Sequence, residues 1–328
     1  MKNCLTERAL LLVVTMILTF TSCAALAESA SAEFPKKPIQ IICPVNAGGD
    51  TDRNTRVLAL ALEKYLGISV VVTNVDGGAT VIGMQQCLTA EPDGYTLVVN
   101  GTDMFVPNMM GTTDVSLDSF KTVGIPLIDN TTVLAVHKDA GFADLKELVD
   151  KSIAEPNSIE YGGKIGATNQ MCGVAMNTVW GAQMRFMDVG NNAAKVTALL
   201  SRQTNVINLS YSVALDYFVA GEFIPLVLLG AEKNELLPNV PMATEYGYEN
   251  VDFSKFFWVG THPDTPDDVM AVLYDALEKA SKDADFVASI EGNYLTPVTL
   301  VGEEAHSFAK TFYEETMEPY KEAFLAAQ

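Results

Sequence analysis

The chain has 328 residues, 48% hydrophobic and 19% charged, which is globular composition with length for two compact domains; one domain of this size would be unusually large. Its formal net charge of −20 argues against nucleic acid or an anionic membrane surface as partners. It does not argue against a small anionic ligand, because distant surface charge is screened within roughly 8–10 Å while a few aimed amides act at contact.

Lys2 and Arg8 precede an apolar run over 9–20 and then small residues, the build of a secretory signal over 1–22 rather than of a membrane span. No later segment is long and apolar enough to cross a bilayer. Two exits compete. Phe20-Thr21-Ser22-Cys23 resembles a bacterial lipobox with Cys23 as the lipid-bearing residue, whereas Ala25-Leu26-Ala27 fits ordinary signal cleavage. With the lipobox favoured, residues 23–36 become a tether and the protein an extracytoplasmic one, in a periplasm or on the outer face of the cell membrane. Cys43, Cys87 and Cys172 remain in the mature fold, an odd number without metal-like spacing, and read as small buried hydrophobes.

From Pro38 the pattern is βα repeated. A strand over 39–43 leads into Pro44-Val45-Asn46-Ala47-Gly48-Gly49-Asp50-Thr51-Asp52 and a helix over 53–66, whose apolar stripe reads Val57, Leu60, Ala61 and Tyr65, with Gly67 as its C-terminal cap. Paired glycines let the backbone turn sharply and approach a guest, and the following helix start offers unpaired N–H groups and partial positive charge. This is a seat for a carboxylate or phosphate. The alternative is that Asp50 or Thr51 merely caps the helix. A strand over 68–73 follows, then a second glycine loop at Gly78, a helix over 81–90, the turn Glu91-Pro92-Asp93-Gly94, and a strand over 95–100 ending at Gly101-Thr102-Asp103. Open α/β sheets bind ligands beyond the carboxyl ends of their strands, so the loops at Gly48, Gly78 and Thr102 converge on one rim.

The pattern then starts afresh. After a strand over 132–137 and a helix over 143–153, a short strand over 159–161 leads through Gly162-Gly163-Lys164-Ile165-Gly166-Ala167-Thr168-Asn169-Gln170 into a helix ending near Trp180, a copy of the opening arrangement. Two anion seats on two sheets predict two lobes facing across a cleft. Further strands fall at 185–188, followed by Gly190-Asn191-Asn192 and a helix over 193–201; at 205–209, ending at Ser210; at 224–229; and at 256–260. A helix begins at Pro263-Asp264-Thr265-Pro266, and the tail, 303–327, reads as one long amphipathic helix with Phe308, Phe312, Tyr313 and Tyr320 as core anchors.

The runs Pro38-Ile39-Gln40-Ile41-Ile42, Pro44, Ala47-Gly48-Gly49 and Thr51-Asp52, then Pro92-Asp93-Gly94-Tyr95-Thr96-Leu97, then Leu237-Pro238-Asn239-Val240-Pro241 with Glu245 and Gly247, resemble the tripartite tricarboxylate transporter substrate-binding proteins, the Bug or TctC-like family. The resemblance implies an α/β fold of the two-lobed periplasmic-binding-protein type II (Venus flytrap) kind, each lobe a sheet flanked by helices. Lobe 1 would comprise residues 37–130, with 261–328 returning largely to it, and lobe 2 residues 131–255, with crossover strands near 132–137 and 256–260. It implies an organic anion held by backbone amides and waters at Ala47, Gly48, Gly49, Asp50, Thr51 and Asp52 in one lobe and at Gly166, Ala167, Thr168, Asn169 and Gln170 in the other. Gly78, Thr102, Asn191 and Ser210 stand beside them at strand ends. The resemblance implies no cofactor, no metal and no catalysis, a monomer, and delivery to a membrane permease of one large and one small subunit.

Three departures shape the ligand. Asp50 stands where the family often has a small neutral residue, Thr168-Asn169-Gln170-Met171 replaces a hydroxyl run leading to His, and Val189-Gly190-Asn191-Asn192 replaces a common Pro-Tyr-Lys-Gly. A cation therefore reads as missing, which favours a mono- or dicarboxylate, with room for an amine or amide group, over a trianion. In the expected mechanism the carboxylate first meets N–H groups of Gly48, Gly49 and Thr51, and hinge closure adds Ala167, Thr168 and Asn169. A ligand-sensing receptor subunit on the same fold is the alternative. An α/β enzyme is less supported, because His137, His262 and His306 stand at no catalytic motif and Cys172 reads as buried rather than nucleophilic.

Overall fold

The computed structural model describes residues 34–327. The signal, the lipobox with Cys23 and most of the tether lie outside the described residues. Strand β1 (Ile39–Cys43) leads to helix α1 (Asp50–Leu66), β2 (Val70–Asn74), α2 (Val81–Leu88), β3 (Thr96–Asn100), a 3-10 turn at Thr102–Met104 and α3 (Phe105–Met109). Then β4 (Lys121–Asp129), β5 (Thr132–His137), α4 (Leu145–Ala154), β6 (Glu160–Gly163), α5 (Thr168–Trp180), β7 (Arg185–Asp188), α6 (Asn192–Leu200), β8 (Val206–Ser210), α7 (Leu215–Val219) and β9 (Phe223–Leu228) follow. The chain ends with β10 (Lys255–Thr261), α8 (Asp267–Ser281), α9 (Ala284–Glu291), β11 (Thr296–Val301), α10 (Gly302–Phe312) and α11 (Lys321–Ala326).

These strands form two mixed sheets. The first has the order β11-β4-β10-β3-β1-β2 and the second β7-β6-β8-β5-β9. In the first, β1 pairs in parallel with β2 and β3, Ile41 standing opposite Val72 and Leu97. Helices cover both faces of such a parallel core, which is why Ile39, Ile41, Ile42 and Cys43 are all buried without alternation. In the second, β6 is parallel to β7 and β8, and β5 is antiparallel to β8 and β9. The chain passes between sheets twice, through Asn130 and Thr131 and through residues 229–254. Thr132–His137 pairs wholly within the second sheet and Lys255–Thr261 within the first.

Two strands, β4 and β11, have no counterpart in the sequence pattern. Gly124 and Pro126 mark β4 as a non-strand, since proline gives the ladder no N–H. The structure accommodates them: the β10 register slips between Phe257 and Val259, opposite the proline, and the β11 register slips between Pro297 and Leu300. Gly124 is required there, because a Cβ would stand 2.4 Å from the Leu300 carbonyl oxygen.

Helix α1 corrects two expectations. It begins at Asp50, with Gly49 as N-cap, three residues earlier than position 53, and its buried face carries Thr55, Leu58, Ala59, Leu62 and Leu66 rather than Leu60 and Tyr65. A threonine in the stripe shifts the apparent phase. Leu60 is 68% exposed, and Tyr65 stays at the surface, where its hydroxyl donates to Asp283 (2.8 Å). Gly67, at φ 68°, caps the helix as expected. The tail is not one helix either. After α10 it widens into a π turn (Tyr313–Met317) and tightens into a 3-10 turn (Glu318–Tyr320), where Pro319 removes a donor from the ladder. Its aromatic residues still anchor the core, with Phe308 and Phe312 edge-on to Phe256 and Tyr313 against Phe105.

Candidate functional site

The carboxyl ends of β1 and β3 deliver Asp50, Thr51, Gly101, Thr102 and Asp103 to one wall of a cleft, and the ends of β6 and β8 deliver Thr168, Asn169, Asn208 and Leu209 to the other. Asn192 and Lys195 from α6, and Lys255 and Phe257 from β10, complete it. The cleft encloses about 530 Å³, its open mouth included. Both helix starts expected as anion seats, α1 and α5, thus open into a shared hollow between the two sheets.

Each seat is already engaged by a carboxylate of the chain. In the first, Gly48 turns at φ 89°, and its N–H donates to Asp52 Oδ2 (2.9 Å), while Thr51 N–H donates to Asp50 Oδ1 (3.0 Å). Asp52 also accepts from Asn74 Nδ2 (2.8 Å) and pairs with Arg56 (2.9 Å), so it braces the loop from behind. In the second, Asp103 reaches across the cleft: its Oδ1 accepts from Thr168 N–H (3.0 Å) and Thr168 Oγ1–H (2.6 Å). A carboxylate at a helix start is stabilised by the dipole and by the free amides there, and Asp103 uses both.

Two lysines correct the expectation that a cation is missing. Lys255, the first residue of β10, donates to Asp50 Oδ2 and Ser210 Oγ at 3.3 and 3.2 Å. Ser210 in turn donates to Asp129, which is 1% exposed and held by Thr131 N–H (3.0 Å) and Oγ1–H (2.6 Å). Burial pushes the Lys255 ammonium down, but the carboxylates of Asp50, Asp129 and Asp103 outweigh it and leave its pKa raised, so it carries its charge at neutral pH. Burial likewise pushes Asp50 up, and Lys255 with the Thr51 amide overrules it, leaving that carboxyl below the usual range.

Lys195 behaves differently. It is 2% exposed, and its ammonium donates to the Asn208 carbonyl oxygen (2.6 Å), with no carboxylate within 4 Å among the described residues. Burial first, and the neighbouring Lys255 charge second, lower its pKa from 10.5 to about 7, against the attraction of Asp50 and Asp103. The signal was present in the sequence: in Asn192–Leu200, Lys195 shares the buried face with Val196, Ala198 and Leu199. Lys195 stands about one helical turn beyond 189–192, where the cation was expected.

Of the residues expected at the site, Asp50, Thr51, Thr102, Thr168 and Asn169 line the cleft. Ala47, Gly48, Gly49, Asp52, Gly78, Gly166, Ala167, Gln170, Asn191 and Ser210 do not. The Gly48 and Thr51 amides expected to meet a ligand donate here to Asp52 and Asp50. Gln170 and Asn191 serve their own loops, accepting from Gly166 N–H (2.8 Å) and Ala194 N–H (3.1 Å), and Ser210 lies one contact behind, on Lys255. Asp103, Lys195, Asn208 and Lys255 were not anticipated. The three thiols are buried as expected, and desolvation raises their pKa values to about 11 for Cys43 and about 12 for Cys87 and Cys172.

Two mixed sheets, each flanked by helices, with helix starts facing one cleft, define the two-lobed fold of periplasmic solute-binding proteins. A solved periplasmic transporter superposes with a TM-score of 0.80 at 22% identity, over 90% of this chain and 100% of its own. MatC from Rhodopseudomonas palustris, solved with bound malate, gives 0.74 at 17% identity, over 89% of this chain and 100% of its own. At such identities the likeness establishes the fold. Residues 54–318 match the family described as the tripartite tricarboxylate transporter family receptor, and the chain belongs to that family. Protein BugT of Bordetella pertussis is 25% identical over 296 residues, 88% of this chain and 90% of its own length. No helix among the described residues is long and apolar enough to cross a membrane.

Proposed function

We propose that this protein is the extracytoplasmic receptor that captures a small organic mono- or dicarboxylate, with room for an amine or amide group, and delivers it to a membrane permease of one large and one small subunit. The observation that carries the reading is the convergence of two helix starts and two lysines, Lys195 and Lys255, on one cleft. In this reading the lobes are residues 37–130 with 261–328, and 131–255, and they close by bending where the chain passes between the sheets. Charge-assisted hydrogen bonds contribute roughly 1.5–3 kcal/mol each, so a carboxylate that gains such bonds in the cleft can hold the closed form against the cost of ordering it. Malate bound to MatC supports the carboxylate class by analogy of fold. Cys23 is the proposed lipid anchor, and mass spectrometry of the membrane fraction reads its acylation.

The test is a thermal-shift screen of the mature chain against monocarboxylates, dicarboxylates, amino acids and amides. A bound ligand at about 100 times its Kd stabilises by roughly 2.7 kcal/mol, a readily measured rise in Tm. Small-angle scattering of the best hit is expected to show contraction. No rise with any carboxylate refutes the proposal.

A further inference from the structure

We infer that the cleft selects a zwitterion with one carboxylate and one ammonium group, and that Asp103 sets this selectivity by filling the seat a second carboxylate would need. The inference rests on the carboxylate-receptor reading above and narrows its ligand class.

Three observations carry it. The N–H and O–H of Thr168 at the start of α5 are both spent on Asp103 Oδ1, and the Thr51 N–H at the start of α1 on Asp50. A dicarboxylate placed across the cleft therefore meets a fixed like charge at each helix mouth. The two lysines are not equivalent: Lys255 is paired with Asp50, while Lys195 has no carboxylate of the chain within 4 Å among the described residues, so one position calls for one anionic group from the guest. Asn208 supplies the opposite demand. Asn208 is among the residues that line the cleft, it is 5% exposed, and its buried Oδ1 has no hydrogen-bond partner among the described residues. A buried acceptor left alone is costly, and an N–H donor on the guest removes that cost.

Charge decides which donor. Asp50 and Asp103 line the cleft with Asp129 behind them, and against these three carboxylates stand Lys255 and Lys195. A hydroxyl or amide on a monocarboxylate would satisfy Asn208 but deepen this excess by one charge, whereas an ammonium satisfies Asn208 and offsets the charge that the guest carboxylate brings. The carboxylate of the guest goes to Lys195, where it gains a partner without displacing Asp103.

The experiment compares matched probes by calorimetry on the full mature chain: L-alanine, 3-aminopropanoate and 4-aminobutyrate, each against its unsubstituted monocarboxylate, its hydroxy analogue and the dicarboxylate of nearest length. At least one ammonium acid is expected to bind about tenfold or more tighter than all three counterparts. A dicarboxylate, hydroxy acid or plain acid that binds as well overturns the inference while leaving carboxylate capture standing; silence from every carboxylate removes both. Asp103→Asn keeps the shape and removes the charge, and circular dichroism confirms its fold. It is expected to shift the ratio of dicarboxylate to ammonium-acid affinity about tenfold towards the dicarboxylate. An unchanged ratio in the folded variant overturns the role given to Asp103.

Discussion

Lys195 makes two quantities move in opposite directions with pH, and the signs follow from its burial. Its pKa is about 7 in the folded protein against an ordinary 10.5, so between those values the unfolded chain holds a proton that the folded chain has released. Stability rises with pH wherever the unfolded state binds more protons. Below pH 7 both states are charged and the full penalty of burying the ammonium is present; it fades as pH rises towards 10.5. From pH 6 to pH 8 the gain from this one group is about 1.4 kcal/mol. An anionic ligand reverses the sense, because the carboxylate needs the protonated lysine and draws a proton in. Over the same interval the protonated fraction falls from about nine-tenths to about one-tenth, so affinity for a carboxylate falls about tenfold. Urea unfolding at pH 6, 7 and 8 reads the first effect, and calorimetry in buffers of different ionisation enthalpy reads the second as proton uptake. Lys195→Met is expected to lose both slopes. A variant with the wild-type slopes refutes the assignment of this proton to Lys195.

Two further predictions concern the frame around the cleft. Gly83 in α2 lies so close to the loop after β1 that a Cβ would stand 2.7 Å from Pro44 Cβ and 2.9 Å from the Val75 carbonyl oxygen, so Gly83→Ala is expected to cost about 1–3 kcal/mol in urea unfolding. Wild-type stability would contradict that packing. At the far end of α1, hydrogen bonds from Lys64 and Tyr65 lower the Asp283 pKa from 3.8 to about 2. Its contribution is complete above pH 4 and is lost as pH falls towards 2, so Asp283→Asn should flatten acid unfolding in that interval and an unaltered acid limb would rule the assignment out.

How much of this was legible in the chain differs by element. The β1 loop and its echo after β6 were readable because glycine punctuation and helix starts are local, and the strand–loop–helix order placed α1 and α5 on sheet edges. Strand β4 was not, since Gly124 and Pro126 are breakers by local rule, and the register shifts that absorb them exist only in its pairing with β10 and β11. Both helices begin earlier than the apolar pattern placed them, and amides at their starts are bonded to carboxylates of the chain. Whether Thr168 N–H waits for a ligand depends on a carboxylate 65 residues earlier, and spacing along the chain carries no trace of that meeting. Lys195 was visible only to a reading that asks of each lysine which face of its helix it shares.

The same distinction explains why the cations sit where they do. Asp129 ends β4 at the first passage between sheets, Lys255 opens β10 at the second, and Ser210 ends β8 in the sheet between those passages in the chain. Their hydrogen bonds run Asp129 to Ser210 to Lys255 to Asp50, so a single polar chain ties both passages to the start of α1. A lysine placed at 190–192 would reach a guest from a loop alone. Lys255 instead carries the charge at a point where the backbone changes sheets, on one of the two segments at which the proposed closure would bend.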